Sequence, residues 1–151
     1  MKIDVLTVMK NESDQVDFDF DVDLSELSDA YGNSLLADPI RINGCVVGIL
    51  GSAKLSMSTS GTFHLTCDRC LSKFKSDFFY SLEAMVTTDQ YTSDPDSIVC
   101  DEDGLIDIIE QAQSLIVVEM PIKNLCSENC KGLCPVCGTN LNEDMCSCKS
   151  S

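Results

Sequence analysis

Eight of the ten cysteines in this 151-residue chain stand in four close pairs: Cys67 and Cys70, Cys126 and Cys130, Cys134 and Cys137, Cys146 and Cys148. The cellular compartment decides what such sulfurs do. Met1 to Gln15 shows no apolar run after a basic start, and no stretch approaches the length needed to cross a bilayer, which predicts a cytoplasmic bacterial protein. Thiols stay reduced there, so the pairs point to metal rather than to a disulfide framework. Eight thiolates are what two tetrahedral zinc sites need. The two-residue gaps in Cys67-Asp68-Arg69-Cys70 and Cys134-Pro135-Val136-Cys137 let a tight turn aim both sulfurs at one ion, and Gly138 is the glycine expected of a zinc knuckle. The longer gap of Cys126/Cys130 and the shorter one of Cys146/Cys148 read as second halves of sites. All eight are therefore candidate ligands, with structural zinc, two ions per chain, as the expected cofactor. Four thiolates also suit an iron-sulfur cluster, although the spacing resembles neither common ferredoxin pattern.

Two groupings of the pairs are open. Short loop closure favours Cys134, Cys137, Cys146 and Cys148 as one local site, leaving Cys67, Cys70, Cys126 and Cys130 to pin the tail to the turn at Cys67. The rival joins the two knuckles and leaves Cys126, Cys130, Cys146 and Cys148. A redox alternative would use Cys67/Cys70 for thiol-disulfide exchange. That chemistry wants a strand opening into a helix, whereas Cys70 is followed by Leu71-Ser72-Lys73-Phe74-Lys75 and a second strand pattern. Cys45 and Cys100 stand alone and read as small buried hydrophobes. His64, the sole histidine, lies between Phe63 and Leu65 and points away from their face. No catalytic residue is assigned.

The formal charge is -15, and two tetrathiolate zinc sites would bring it to about -19. With 10 basic and 25 acidic residues, autonomous duplex binding is a poor match, and a basic partner protein the better one. Arg69, Lys73, Lys75, Lys123 and Lys131 lie near the cysteine motifs, so a local basic patch for RNA is the alternative.

Val16, Phe18, Phe20 and Val22 alternate with Asp17, Asp19, Asp21 and Asp23, the signature of a strand with one buried and one wetted face. Ile3, Val5 and Val8 suggest a shorter strand before it, and Leu24 to Tyr31 reads as a loop or a helical turn. From Pro39, Ile40 and Ile42 alternate, then Leu55, Met57 and Thr59, with a turn expected at Ser60-Gly61. Phe63, Leu65 and Cys67 then begin a further strand, and Phe78, Tyr80, Leu82, Ala84 and Val86 another. Residues 39–87 thus predict an antiparallel meander interrupted at Cys67 to Phe74. Residues 88–104 form an acidic loop without the ligand spacing of a calcium-binding EF-hand. Leu105, Ile108, Ile109, Ala112, Leu115, Ile116 and Met120 fall at helical spacing, with Asp101 and Asp103 before the helix and Pro121 after it. The polar face of that helix lacks Lys and Arg, which speaks against a membrane. The expected class is α+β: an antiparallel curved sheet or partial barrel with one amphipathic helix over residues 1–120, and a cysteine-rich zinc-binding tail over residues 121–151.

Thr66-Cys67-Asp68-Arg69-Cys70-Leu71, the later Met120-Pro121-Ile122, the Cys126/Cys130 pair, Gly132-Leu133-Cys134-Pro135-Val136-Cys137-Gly138 and Asn140-Leu141-Asn142 together resemble the YceD family, the large ribosomal RNA subunit accumulation proteins. The resemblance covers roughly residues 40–151. It implies a non-enzymatic role in producing or accumulating large-subunit (23S) ribosomal RNA, with a gene often beside that of a small large-subunit ribosomal protein. Some relatives keep the first cysteine pair and lack the Gly-Leu-Cys-Pro tail, which suits the local grouping. The expected partner is a basic ribosomal or biogenesis protein, or an assembly intermediate, with direct contact to ribosomal RNA as the alternative.

Overall fold

The computed structural model describes residues 1–11, 14–28 and 32–148. The chain runs through β1 (Lys2–Asp4), α1 (Val5–Met9), β2 (Gln15–Val22), β3 (Ile40–Ile49), β4 (Ser52–Thr66), β5 (Lys73–Thr87), β6 (Ile98–Val99), β7 (Leu105–Asp107) and α2 (Ile108–Glu119). Strands β2-β3-β4-β5-β6 form an open sheet in that order, and β1 pairs with β7 in a second, two-stranded sheet. The first four strands are antiparallel neighbours, and no barrel closes among the described residues. The architecture is thus a mostly antiparallel sheet with helices and a cysteine-rich end.

Register explains the core. Val16, Val46, Leu55 and Ala84 align across four strands, as do Phe20, Ile42, Thr59 and Tyr80, so every second residue faces the helices. Helix α2 lies against β5 and β4 through Ile108, Ala112, Leu115 and Ile116, and α1 packs on β3 with Val5 and Val8. The outward face carries Asp17, Asp19 and Asp21, all exposed.

Four expectations need correction. Val5 and Val8 belong to α1 rather than to a strand, because the Asp4 carboxylate caps the Thr7 N–H at 3.1 Å and turns the chain. The structure therefore has two helices, not one. No turn occurs at Ser60-Gly61: β4 continues through it, and a side chain on Gly61 would meet Ile40 Cγ2 at 2.7 Å and Phe78 at 3.1 Å. That glycine serves close packing, as does Gly44, where a Cβ would come within 2.8 Å of the Phe18 ring. Leu105 lies in β7, and α2 begins at Ile108 with Asp107 as its cap, accepting from the Ile109 N–H at 3.0 Å. Asp101 instead closes the preceding turn, accepting from the Leu105 N–H at 2.8 Å. Finally, the acidic connection contains β6, which pairs parallel to β5, so the sheet is not wholly antiparallel.

Leu24 to Leu27 form a turn closed by the Leu27 N–H on the Leu24 carbonyl, Ser28 bridges Ser34, and residues 29–31 lie outside the described residues. Beyond α2, the described tail is irregular apart from one antiparallel bridge between Leu133 and Asn140.

Candidate metal centres

The two Cys-x-x-Cys turns are built alike. In the first, which joins β4 to β5, the Cys67 N–H donates to the Ser72 carbonyl (2.9 Å) and the Leu71 N–H to the Cys67 carbonyl (3.0 Å). In the second, the Cys134 N–H donates to the Thr139 carbonyl (2.8 Å) and the Gly138 N–H to the Cys134 carbonyl (2.9 Å). The residue after the second cysteine is left-handed in both, with φ of 60° at Leu71 and 74° at Gly138. A hydroxyl then follows: Ser72 Oγ lies 2.6 Å from Cys70 Sγ, and Thr139 Oγ1 lies 3.1 Å from Cys137 Sγ.

The sulfurs gather in the local grouping. Those of Cys67, Cys70, Cys126 and Cys130 all lie within 4.8 Å of one another, as do those of Cys134, Cys137, Cys146 and Cys148. In the first quartet Cys67 stands 3.7 Å from Cys130, and Cys70 3.6 Å from Cys126. Sulfurs held about 2.3 Å from a tetrahedral ion are about 3.8 Å apart, whereas a disulfide requires about 2.05 Å. These donor sets therefore fit one ion each and leave no room for a multi-iron cluster.

Burial separates the sites. Cys67, Cys70 and Cys130 are buried with Phe74, Leu125 and Leu133 packed round them, and Cys126 is exposed. In the second site only Cys134 is buried, Cys146 and Cys148 are half-buried and Cys137 is exposed. The tail is also tied to the first knuckle by polar contacts. The Asp68 N–H donates to the Asn124 carbonyl (2.8 Å), the Asn124 N–H to the Asp68 carboxylate (2.7 Å), and the Arg69 guanidinium to the Cys130 carbonyl (3.0 Å). Asn142, from the loop of the second site, donates to Cys130 Sγ (3.3 Å) and accepts from the Lys131 N–H (2.8 Å). The loop of the second site thus touches a sulfur of the first.

The thiols split by electrostatics. Backbone N–H groups of Cys126 and Cys70 bring Cys67 down to about 6, and the Ser72 hydroxyl lowers Cys70. The Thr139 hydroxyl and N–H bring Cys137 down to about 6, and the N–H of Cys137 lowers Cys134. Their partners rise: Cys70 beside it pushes Cys126 up to about 12, Cys137 pushes Cys148 up to about 12, and Cys134 raises Cys146. Each knuckle favours thiolates, and their closeness keeps Cys126, Cys146 and Cys148 protonated. A cation between the pairs would remove that conflict.

The other candidates fall elsewhere. Cys100 is buried and its thiol raised by burial, Cys45 is half-buried, and His64 reaches Asp38 at 3.3 Å on the outer side of β4. Arg69 and Lys131 flank the first site and Lys123 precedes Asn124, which bonds Asp68, while Lys73 pairs in register with Thr66 and Lys75 with His64, so the five basic residues lie on segments that lead into the first quartet.

Comparison with known proteins places these features. A family model described as "Large ribosomal RNA subunit accumulation protein YceD" matches residues 55–151, the span holding both quartets. The chain belongs to the YceD family. A chloroplastic large ribosomal RNA subunit accumulation protein YCED homolog of Zea mays is 26% identical over 143 residues, covering 74% of this chain and 49% of the relative. Its Arabidopsis thaliana counterpart is 42% identical over 43 residues, covering 28% of this chain and 13% of the relative. An "uncharacterized protein" of Mycobacterium tuberculosis is 27% identical over 113 residues, covering 72% and 52%. The chain spans about half the length, or less, of these curated relatives. No solved structure matches.

Sequence reading of this YceD chain missed Ser72 and Thr139, the hydroxyls on the knuckle sulfurs, and Asn142, which links the sites. The first two had a signal, a Ser or Thr two residues after each Cys-x-x-Cys. Asn142 had none outside the family motif.

Proposed function

We propose that this YceD chain is a non-enzymatic cytoplasmic factor that supports synthesis or accumulation of large-subunit ribosomal RNA. Two zinc ions hold its end together, and a basic ribosomal or biogenesis protein, or an assembly intermediate, is its partner. The observation that carries the reading is the family match across both quartets, together with relatives named for large ribosomal RNA subunit accumulation. Zinc held by four thiolates has no open coordination position, so it supplies cross-linking and not Lewis-acid chemistry. The thiols fit that use. Cys67 and Cys70 are buried and each faces a sulfur from the tail, an arrangement that suits a shared ion better than thiol-disulfide exchange. Among the described residues no helix is long and apolar enough to cross a membrane.

Removing the gene from its host and measuring the ratio of large-subunit to small-subunit ribosomal RNA tests the role. We expect the ratio to fall, and to recover with the intact gene but not with one encoding Cys130→Ser. An unchanged ratio without the gene would overturn the proposal. Metal analysis of protein purified without chelator should give close to two zinc ions per chain. A value near zero, with all thiols reactive, would sink the metal part.

A second reading is favoured by the basic residues at the metal end, which would put ribosomal RNA there directly. Removing charge at Arg69, Lys73, Lys75, Lys123 and Lys131 should then abolish binding to naked ribosomal RNA, and added salt should weaken the binding of the unaltered protein.

A further inference from the structure

We infer that the free edge of β2 is a docking edge for an extended partner segment of alternating basic and apolar residues, which adds to the sheet as a further strand. This rests on the reading above that the protein works by holding a basic protein.

Three features of β2 converge. It is the end strand of the five-stranded sheet, eight residues long, and among the described residues no strand pairs with its outward side, so a row of N–H and C=O groups is left for another chain. On the helix side Val16, Phe20 and Val22 are only half-buried, while their register partners Val46, Ile42 and Ile40 are 0% exposed. On the outer side Asp17, Asp19 and Asp21 are exposed, and the guanidinium facing them is Arg41, 2.7 Å from Asp19. An added strand would therefore find apolar surface on one face and carboxylates on the other.

That pattern selects the occupant. A second copy of β2 would set Asp against Asp across the seam, which is unfavourable. Lys or Arg at every second position would instead oppose Asp17, Asp19 and Asp21, with apolar residues covering Val16, Phe20 and Val22. On the opposite side of the sheet, where β6 pairs only with Val86 and Thr87, the rest of β5 offers no such code. Along β5 the outward row mixes Lys73, Lys75, Asp77, Phe79 and Glu83, and Pro95 to Ile98 share a cleft with Leu82 to Ala84.

The test uses the full metal-loaded chain and three peptides: one alternating Lys and Val over eight residues, one of the same composition in blocked order, and the alternating one N-methylated at every second amide. We expect the alternating peptide to bind about tenfold more tightly than the other two, and Asp17→Asn/Asp19→Asn/Asp21→Asn together to weaken it about tenfold at low salt. Amide exchange in Gln15–Val22 should slow on binding and β4 should be unaffected in the variant, showing that the fold is kept. Equal affinity for all three peptides would reduce the edge to generic charge attraction and overturn the proposal, as would protection appearing along β5. An Asn variant that binds no peptide yet restores ribosomal RNA accumulation would overturn the edge's role and leave the proposed function standing. Edge pairing without any effect of gene loss on accumulation would overturn the function alone.

Discussion

The two cysteine quartets share one turn and differ in everything around it. The first takes Cys67 and Cys70 from a hairpin of the main sheet and closes them against Cys126 and Cys130, with Cys126 standing 56 positions after Cys70. The second closes within one short run of tail. By the loop-closure estimate used for covalent cross-links, a bridge over the longer loop restricts the unfolded chain by about 4 kcal/mol and one over about ten residues by about 3 kcal/mol. That gap is small. What separates the sites is the structure each carries: the first holds Phe74, Leu125 and Leu133 in a buried cluster and docks the tail on the sheet, while the second organises its own loop and touches the first site through Asn142. Chain entropy alone is a poor guide to which site matters for the fold.

Breaking one ligand in each site is the strongest way to test this difference. Cys130→Ser should cost about 3 kcal/mol or more in the metal-loaded protein and raise amide exchange at both the hairpin end and the tail. Cys134→Ser should raise exchange across residues 131–148 and leave Val16 to Val22 and Phe78 to Val86 protected. Global unfolding in Cys134→Ser would mean that the second site also supports the sheet.

In metal-free protein the exposed thiols Cys126 and Cys137 should part company. A thiol held at about 6 stabilises its fold above the ordinary value of 9 and loses that contribution as pH falls through 6. One pushed to about 12 stabilises below 9 and loses it as pH rises through 12. At pH 7 Cys137 is therefore mostly thiolate and Cys126 mostly thiol, so alkylation mapped by mass spectrometry should be at least about tenfold faster at Cys137. Equal rates would show that exposure alone governs both.

The hydroxyls on the knuckle sulfurs act on both sites alike. Ser72→Ala and Thr139→Ala should each weaken metal binding, by about tenfold, with little change in the sheet. Chelator competition reads this directly, and a larger effect at Ser72 would reflect its closer approach of 2.6 Å to sulfur.

How much of this was legible follows from the range of each signal. Side-chain alternation is local, so the Val16 to Val22 strand and the Phe78 to Val86 strand could be read directly from the sequence. The eight cysteines were legible as candidate ligands because a knuckle is short, and their grouping was favoured by loop length but stayed open, since closure entropy changes slowly with length. Capping depends on where backbone donors end up, and so Asp4 and Asp107 hid α1 and the true start of α2. Gly61 was misread because turn-forming and close-packing glycines look the same in sequence. Asn142 and Arg69 contact partners on distant segments, which no local pattern encodes.

The smallest expected effect is also the sharpest comparison of the two turns. At the left-handed position the second knuckle has Gly138, where φ of 74° brings no steric cost, while the first has Leu71 at φ of 60°. A Cβ there crowds its own backbone by about 1 kcal/mol. Leu71 is 63% exposed, so its side chain returns little of that through burial. Leu71→Gly should therefore stabilise the metal-loaded protein by up to about 1 kcal/mol, reduced by the added freedom of glycine in the unfolded chain. Gly138→Leu should destabilise the second knuckle, with denaturant midpoints at constant slope reporting both. If Leu71→Gly destabilises instead, the Leu71 side chain holds the first site through packing, and the two turns are alike only in backbone.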